Sequence, residues 1–204
     1  MASDDLQFKS VELYGGAIVV ELPEGFEDVS QIRQVPDHQE VYLDRSGFSS
    51  IVFDILERVH NAQNDDVEAL KFHLQDIVES DASTTIVHRI EAKNVKLAKM
   101  PDLKALTLLA TCPPGEKMRG RANEPDAVGV CLLLVRLEGK WETDLLCTVN
   151  VPCVSGDEGG DVKEDDGEDV KMKIERLLLV GCQIREKVMA TLEIRDWGLF
   201  GEGE

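Results

Sequence analysis

From Thr84 onward the apolar residues recur with a period of two in four segments that are rich in β-branched residues. The segments are Thr84–Ile90, Leu106–Thr111, Val128–Leu137 and Leu145–Val151. A period of two is typical of β-strands, whose successive side chains point to opposite faces of a sheet. Strands that follow one another through short turns pair antiparallel, because parallel neighbours need crossovers of about a dozen residues or more. The sequence therefore predicts an antiparallel sheet.

The amino-terminal part of the chain predicts three further strands. Phe8–Tyr14 and Ala17–Leu22 flank a pair of glycines, which indicates a turn, and Glu40–Asp44 alternates in the same way. Between them, Asp28 followed by Gln31 forms a capping-box pattern that predicts one helical turn. Pro36 ends that turn, because proline has no amide hydrogen and restricts the preceding residue to an extended conformation.

Three segments predict helices. Ile51–Val59 places apolar residues on one face and can be capped by a preceding serine, and Val67–Val78 follows a capping box at Asp65. Val170–Met189 is the third, although Gly181 lowers the helix propensity there. Leu192–Ile194 predicts one more short strand. The fold class expected is α+β, with helices packed on a central antiparallel sheet.

Residues Ser155–Asp169 differ sharply from the rest of the chain. This segment has eight acidic residues, one lysine, glycines and no aromatic residue. Such a composition cannot bury enough apolar surface to offset the entropy of ordering the chain. We expect a disordered acidic loop inserted within a single domain that spans residues 1–204. A calcium-binding register does not fit the spacing of its glycines and carboxylates.

The formal net charge of −18 limits the classes of partner. Nucleic acid and anionic membrane surfaces are disfavoured, because both need basic patches. A basic protein surface fits, and an acidic field would accelerate its association; the alternative is that the acidity serves only solubility. No amino-terminal signal is apparent, and the longest apolar run, Val128–Val135, is too short to cross a bilayer. These features predict a soluble intracellular protein.

Catalytic and cofactor-binding patterns are absent from the sequence. The five cysteines include no CxxC pair, so buried reduced thiols are expected rather than a zinc site or a disulfide framework. Phosphate-binding glycine loops, a GxSxG nucleophile elbow and an HExxH zinc motif are missing. We expect no enzyme activity, no cofactor and no metal.

The segment Leu13–Asp44 is the most informative part of the chain for function. It carries Asp37 and Glu40 on a short loop after Pro36, without a nucleophile beside them. These carboxylates can be read as a recognition site or as a general acid/base pair, which would need an enclosed pocket. They can also be read as turn chemistry alone, since aspartate after proline favours a tight bend.

Three segments resemble the Mog family of Ran guanine-nucleotide release factors. The most specific is LYGGAIVVELP followed by FEDVSQIRQVPDHQEVYLD, and WETDLLCTVNVP and DWGLFG are supportive. The resemblance implies the Mog/PsbP-like α+β fold, binding to the small GTPase Ran, and promotion of guanine-nucleotide release in support of nuclear protein import. It implies a non-enzymatic regulator in the nucleus and cytoplasm, and leaves open whether a second Ran-binding protein assists. We expect a monomer.

The family's acidic contact motif, PDxQE, matches Asp37 and Glu40, and neighbouring motif positions match Asp28, Arg33 and Gln39. The expectation is that Asp37 and Glu40 are both exposed and contact a basic face of Ran. Two other functions stay open. One is an acidic adaptor that binds basic partners through residues 155–169, and the other is a hydrolase or transferase that uses Asp37 and Glu40.

Overall fold

A computed structural model describes residues 6–29, 32, 34–45, 48–61, 65–115, 124–154 and 167–201. The helices in these ranges are α1 (Asp66–Val78) and α2 (Gly167–Thr191), and neither is long and apolar enough to cross a membrane. The strands are β1 (Phe8–Leu13), β2 (Ile18–Pro23), β3 (Phe26–Asp28), β4 (Gln39–Asp44), β5 (Ser50–Glu57), β6 (Ile86–Glu91), β7 (Lys104–Cys112), β8 (Ala127–Leu137), β9 (Thr143–Cys153) and β10 (Glu193–Ile194).

The strands form two antiparallel sheets. The larger sheet has seven strands in the order β3-β4-β5-β9-β8-β7-β6, and the smaller has three in the order β1-β2-β10. Every neighbouring pair in both sheets is antiparallel. This confirms the pairing expected from strands joined by turns. The fold is a sheet-dominated α+β arrangement.

Alternation along β8 divides the interior into two hydrophobic clusters. Cys131, Leu133 and Val135 face a cluster with α2 and β2, whereas Leu132 and Leu134 face a second cluster with α1. The large sheet therefore has one helix on each face, and β2 of the small sheet packs against α2 as well. This explains why β8 is apolar at almost every position: both of its faces are buried.

The predicted helix at Ile51–Val59 is wrong, because this segment forms β5. Ile51 and Phe53 point into the α2 cluster, while Leu56 packs on the α1 cluster. A strand buried on both faces has apolar residues at adjacent positions, which imitates the spacing of a helix. The β-branched residues of β5 and its pairing with β4 and β9 decide the outcome.

The two observed helices agree with the sequence in position, with one difference at a boundary. The side chain of Asp65 accepts a hydrogen bond from the Val67 amide, as the capping box predicts. Helix α2 begins at Gly167, three residues before the predicted start, so residues 167–169 belong to the helix rather than to the acidic loop. Residues 155–166 of that predicted loop lie outside the described residues. We therefore describe no structure for them.

Gly181 lies at a close contact between α2 and β8. A Cβ atom at this position would stand 2.7 Å from Cys131 Sγ and 3.2 Å from a methyl group of Val151. Contacts under 3 Å between such atoms are repulsive. Close packing therefore explains why a glycine stands at position 181, although glycine has a low helix propensity.

A buried polar network attaches α1 to the sheet. Arg136 donates from Nε to Asp144 at 2.9 Å and from Nη1 to Asp66 at 2.7 Å, and His73 Nε2 lies 2.9 Å from Asp144 Oδ2. Burial raises the pKa of Asp144, but hydrogen bonds from His73, the Val59 amide and Arg136 outweigh it and leave that pKa below its usual value. Charged groups can be buried here because each is paired and hydrogen-bonded.

Candidate functional site

A tight turn places Asp37 at the start of β4. The Gln39 amide donates to the Pro36 carbonyl at 2.9 Å, which closes a four-residue turn with Asp37 and His38 at its centre. Both central side chains are exposed. The sequence indicates a bend at this place, since aspartate directly after proline favours a tight turn. Asp37 therefore presents its carboxylate to the solvent from a defined backbone position.

The side chain of Tyr14 stabilises this turn through hydrogen bonds. The Tyr14 hydroxyl lies 3.2 Å from the His38 carbonyl and 3.0 Å from the Phe53 carbonyl, and the Ile55 amide donates to the same His38 carbonyl at 2.8 Å. Tyr14 has a φ of 50° and begins the turn between β1 and β2. Its unusual conformation is fixed by contacts on both its backbone and its side chain. The Asp37 turn is thus tied to the β1–β2 turn and to β5.

Glu40 supports this arrangement internally. Its Oε1 accepts a hydrogen bond from the Tyr14 amide at 2.7 Å, and its Oε2 lies 3.4 Å from the Tyr42 hydroxyl. The expectation that Glu40 is exposed is wrong: the side chain is half-buried, where it accepts a hydrogen bond from the amide of the left-handed residue Tyr14. Replacing Glu40 by lysine would disturb this turn as well as any partner contact.

Asp28 lies close to Glu40 in the folded chain. It ends β3 and pairs with Tyr42 of β4, so it is part of a strand and not the cap of a helical turn. Burial raises the pKa of Glu40; the Tyr14 hydrogen bond opposes this, and the charge of Asp28 adds to it. The pKa of Tyr42 is raised by burial and then by the charges of Glu40 and Asp28. The fold therefore concentrates negative charge at this corner.

Gln39 points to the other side of β4. Its Nε2 donates to Asp54 Oδ1 at 2.7 Å across the β4–β5 pair. Burial raises the pKa of Asp54, and the hydrogen bond from Gln39 partly offsets this. The side chains of Gln39 and Glu40 thus point to opposite faces of the sheet, as those of neighbouring residues in a strand do. Arg33 and Gln31 lie outside the described residues.

Sequence reasoning missed three side chains that build this corner: Tyr14, Tyr42 and Asp54. The sequence predicts that Tyr14 ends a strand, although the two glycines after it indicate a turn. Nothing in the sequence points to Asp54, because the pattern of its segment predicts a helix. Ile32 is a further candidate, because this large apolar side chain is 84% exposed in the loop that leads to the turn.

Asp37 is exposed on its turn and Glu40 is half-buried, whereas an acid/base pair would need an enclosed pocket. An open groove lies at a different place, between the end of β5 and α1, and is bounded by Glu57, His60 and Phe72. In the described part of the chain, no cluster of three or more His, Cys, Asp or Glu side chains is arranged to hold a metal ion. The geometry suits recognition of a partner.

The architecture matches a known class of α+β proteins. The solution structure of the cyanobacterial PsbP protein CyanoP from Synechocystis superposes with a TM-score of 0.50 at 11% identity, over 95% of this chain and 96% of that one. At this identity the match concerns the fold alone. The match confirms the expectation of a Mog/PsbP-like fold.

The chain belongs to the Mog1 family. The family described as "Ran-interacting Mog1 protein" matches residues 11–152. The crystal structure of the Saccharomyces cerevisiae Ran-binding protein Mog1p superposes with a TM-score of 0.69 at 25% identity, covering 97% of this chain and 100% of that one.

Curated relatives carry names that fit this family. A probable Ran guanine nucleotide release factor of Dictyostelium discoideum is 32% identical, over 70% of this chain and 73% of that protein. The nuclear import protein MOG1 of Saccharomyces cerevisiae is 33% identical, over 71% and 66%. The Ran guanine nucleotide release factor of Bos taurus is 33% identical, over 69% and 74%.

Proposed function

We propose that this chain, as one α+β domain, binds the small GTPase Ran and promotes release of its guanine nucleotide, in support of protein import into the nucleus. Family membership and the names of the relatives support this function. The observation that carries it is the exposed Asp37 on a turn secured by Tyr14. The protein would act in the nucleus and cytoplasm, as a binding factor without a covalent step.

Asp37 is the contact that the geometry favours. Its carboxylate is exposed and held on a rigid turn, so little conformational entropy is lost on binding. A carboxylate that reaches the nucleotide site of a GTPase competes with phosphate for a lysine or for Mg²⁺, which both hold the nucleotide. Weakening these contacts would speed release. Glu40 would act mainly by positioning the turn, and Asp28 would add to the local negative potential.

The test is the release of labelled GTP and GDP from purified Ran, with and without this protein. We compare the wild type with Asp37→Lys, and we use Asp102→Lys as the matched control. Asp102 is also an exposed aspartate that follows a proline in a turn. Asp37→Lys should weaken binding at least about thirtyfold, since loss of a desolvated charge pair costs about 2 kcal/mol or more.

Asp102→Lys should accelerate release as the wild type does. Equal release by Asp37→Lys and the wild type, with both proteins folded, would contradict the assignment of this site. Loss of activity in both variants would point to overall charge instead.

The acidic segment provides a second comparison. Deletion of residues 155–166 leaves α2 complete, since this helix begins at Gly167. The proposed Ran-binding protein should keep its activity without these residues. If the deletion abolished binding while Asp37→Lys did not, the chain would act as an acidic adaptor through this segment.

A further inference from the structure

Two cysteine side chains meet where α2 packs on β8. Cys131 is fully buried on β8, and Cys182 is half-buried on α2. The two thiols are close enough to shift each other's pKa in opposite directions, raising that of Cys131 and lowering that of Cys182. Cys131 Sγ also lies 4.0 Å from the Leu178 carbonyl, one turn before Cys182 in the helix. The absence of a side chain at Gly181 permits this close approach.

A buried arginine points at the same place. Arg185 is only 7% exposed, and its Nη2 lies 3.8 Å from Cys182 Sγ. Its Nη1 donates to the Leu108 carbonyl at 3.3 Å, and its Nε has no hydrogen-bond partner in the described structure. A carbonyl can accept a hydrogen bond from a guanidinium group but does not neutralise its charge. A buried cation is costly unless an anion lies beside it.

The thiolate of Cys182 would supply that anion. The hydrogen bond from Cys131 lowers the pKa of Cys182; burial opposes this, and the charge of Arg185 lowers it further. Two more charged side chains act on the pKa of Cys182. The negative charge of Glu186 raises it, and the positive charge of Arg89 lowers it. A partly exposed thiol beside a cation is the environment in which cysteines become reactive.

We propose that Cys182 is a peroxide-reactive thiol, with Arg185 as its counter-ion and Cys131 as its resolving partner. The Cys182 thiolate attacks one oxygen of hydrogen peroxide, so that an S–O bond forms, the O–O bond breaks and hydroxide leaves. Cys182 is thereby oxidised to a sulfenic acid and the peroxide is reduced. The Cys131 thiol then attacks the sulfenic sulfur, an S–S bond forms, and the leaving hydroxide takes the Cys131 proton as water.

Cys112 provides an internal control for this proposal. It is half-buried like Cys182, but its thiol lies 3.8 Å from the Val128 carbonyl and burial raises its pKa. Because the pKa of Cys182 is lowered and that of Cys112 is raised, a larger fraction of Cys182 is thiolate near pH 6. The lower nucleophilicity of the weaker base offsets only part of this advantage in rate.

The first measurement is iodoacetamide labelling of the folded wild-type protein at about pH 6, with peptide mass spectrometry to follow each cysteine. Cys182 should be alkylated about ten times faster than Cys112. Equal rates, or faster labelling of Cys112, would overturn the proposal. This comparison needs no variant, so it does not depend on the folding of a mutant.

Arg185→Met then tests the counter-ion, since methionine fills similar space without charge. The rate at Cys182 should fall toward that of Cys112 while the circular dichroism spectrum stays that of the wild type. An unchanged rate in the folded variant would overturn the role of Arg185.

The last measurement is treatment with hydrogen peroxide. The wild type should form a disulfide between Cys131 and Cys182, whereas Cys131→Ala should stop at a sulfenic acid that dimedone traps. Cys182→Ser should form neither product, and Cys112→Ser should behave as the wild type. A dimedone adduct on Cys182 in the wild type, without disulfide, would overturn the role of Cys131.

Discussion

Asp37 and Ile32 present different chemistry in the segment that leads into β4. Asp37 offers an exposed charge on a closed turn, and Ile32 offers an exposed apolar side chain a few residues earlier. Interfaces combine apolar anchors with surrounding polar groups, and most of the binding energy resides in a few anchors. The proposed Ran contact therefore needs both residues, with Glu40 and Tyr14 as internal supports.

Ile32→Ser should weaken binding to Ran without changing the free energy of unfolding. Ile32 is 84% exposed, so its loss does not affect the core, but burial of an isoleucine side chain against a partner contributes about 1.5–3 kcal/mol. The dissociation constant should rise about tenfold or more, as measured by calorimetry. Ile86→Ser is the control, because Ile86 is 60% exposed on the distant edge strand β6. Equal losses in both variants would contradict a specific contact.

Glu40→Gln should make the protein at least as stable as the wild type at pH 7. The glutamine oxygen can still accept from the Tyr14 amide, and the cost of a half-buried charge disappears. The folded-state pKa of Glu40 is raised, mainly by burial. The folded state then binds the Glu40 proton more tightly than the unfolded state does. The stability that this tighter binding contributes is fully present below about pH 4.5 and is lost as the pH rises through the folded-state pKa.

Urea unfolding of wild type and Glu40→Gln at several pH values checks this. The advantage of the glutamine variant should shrink as the pH falls toward 4. Glu40→Ala removes the acceptor itself and should be less stable than Glu40→Gln throughout, by about 1–3 kcal/mol. A glutamine variant as unstable as the alanine variant at pH 7 would show that the charge is required.

Helix α2 joins the two sheets, and its contact with β8 depends on one glycine. Gly181→Ala would gain about 1 kcal/mol of helix propensity. Against this, the added methyl would meet Cys131 Sγ at 2.7 Å in a packed interior, and overpacking typically costs about 1–3 kcal/mol. Because the near atoms belong to the buried side chains of Cys131 and the β-branched Val151, we expect the repulsion to dominate and the variant to be less stable.

Urea denaturation of Gly181→Ala, Cys131→Ala and the double variant separates these effects. Removing Sγ makes room for the new methyl, so the double variant should be more stable than the sum of the single changes predicts. Additive behaviour would mean that Cys131 does not oppose the added methyl.

The strongly negative charge acts over distances longer than any single contact. A net charge of −18 should steer a basic partner toward the protein, and this effect is screened by salt. The association rate with Ran should fall at least about tenfold between ~0.05 and ~0.5 M salt, while the dissociation rate changes less. Stopped-flow fluorescence measures both rates.

Deletion of residues 155–166 is the matched variant for this prediction. It removes six acidic residues and one lysine, which brings the net charge from −18 to −13. The deletion should slow association and make it less sensitive to salt, with little effect on dissociation. An association rate that does not respond to salt in either protein would contradict steering.

Local patterns in the chain were sufficient for most elements. Period-two patterns and β-branched runs predict β1, β2, β4 and β6 to β9 nearly to their ends, and the capping box at Asp65 predicts the start of α1. These signals are local, because they depend on a few neighbouring side chains and on backbone chemistry. The turn at Pro36 and Asp37 was predictable for the same reason.

Long-range contacts decided the rest. Ile51–Val59 has a spacing that fits a helix or a doubly buried strand, and only pairing with β4 and β9 selects β5. Glu40 looks like a surface acid in the sequence, yet the amide of Tyr14, 26 residues away, makes it an internal acceptor. The meeting of Cys182, Arg185 and Cys131 likewise arises only when α2 packs on β8. Such contacts join residues far apart in the chain, so no local pattern encodes them.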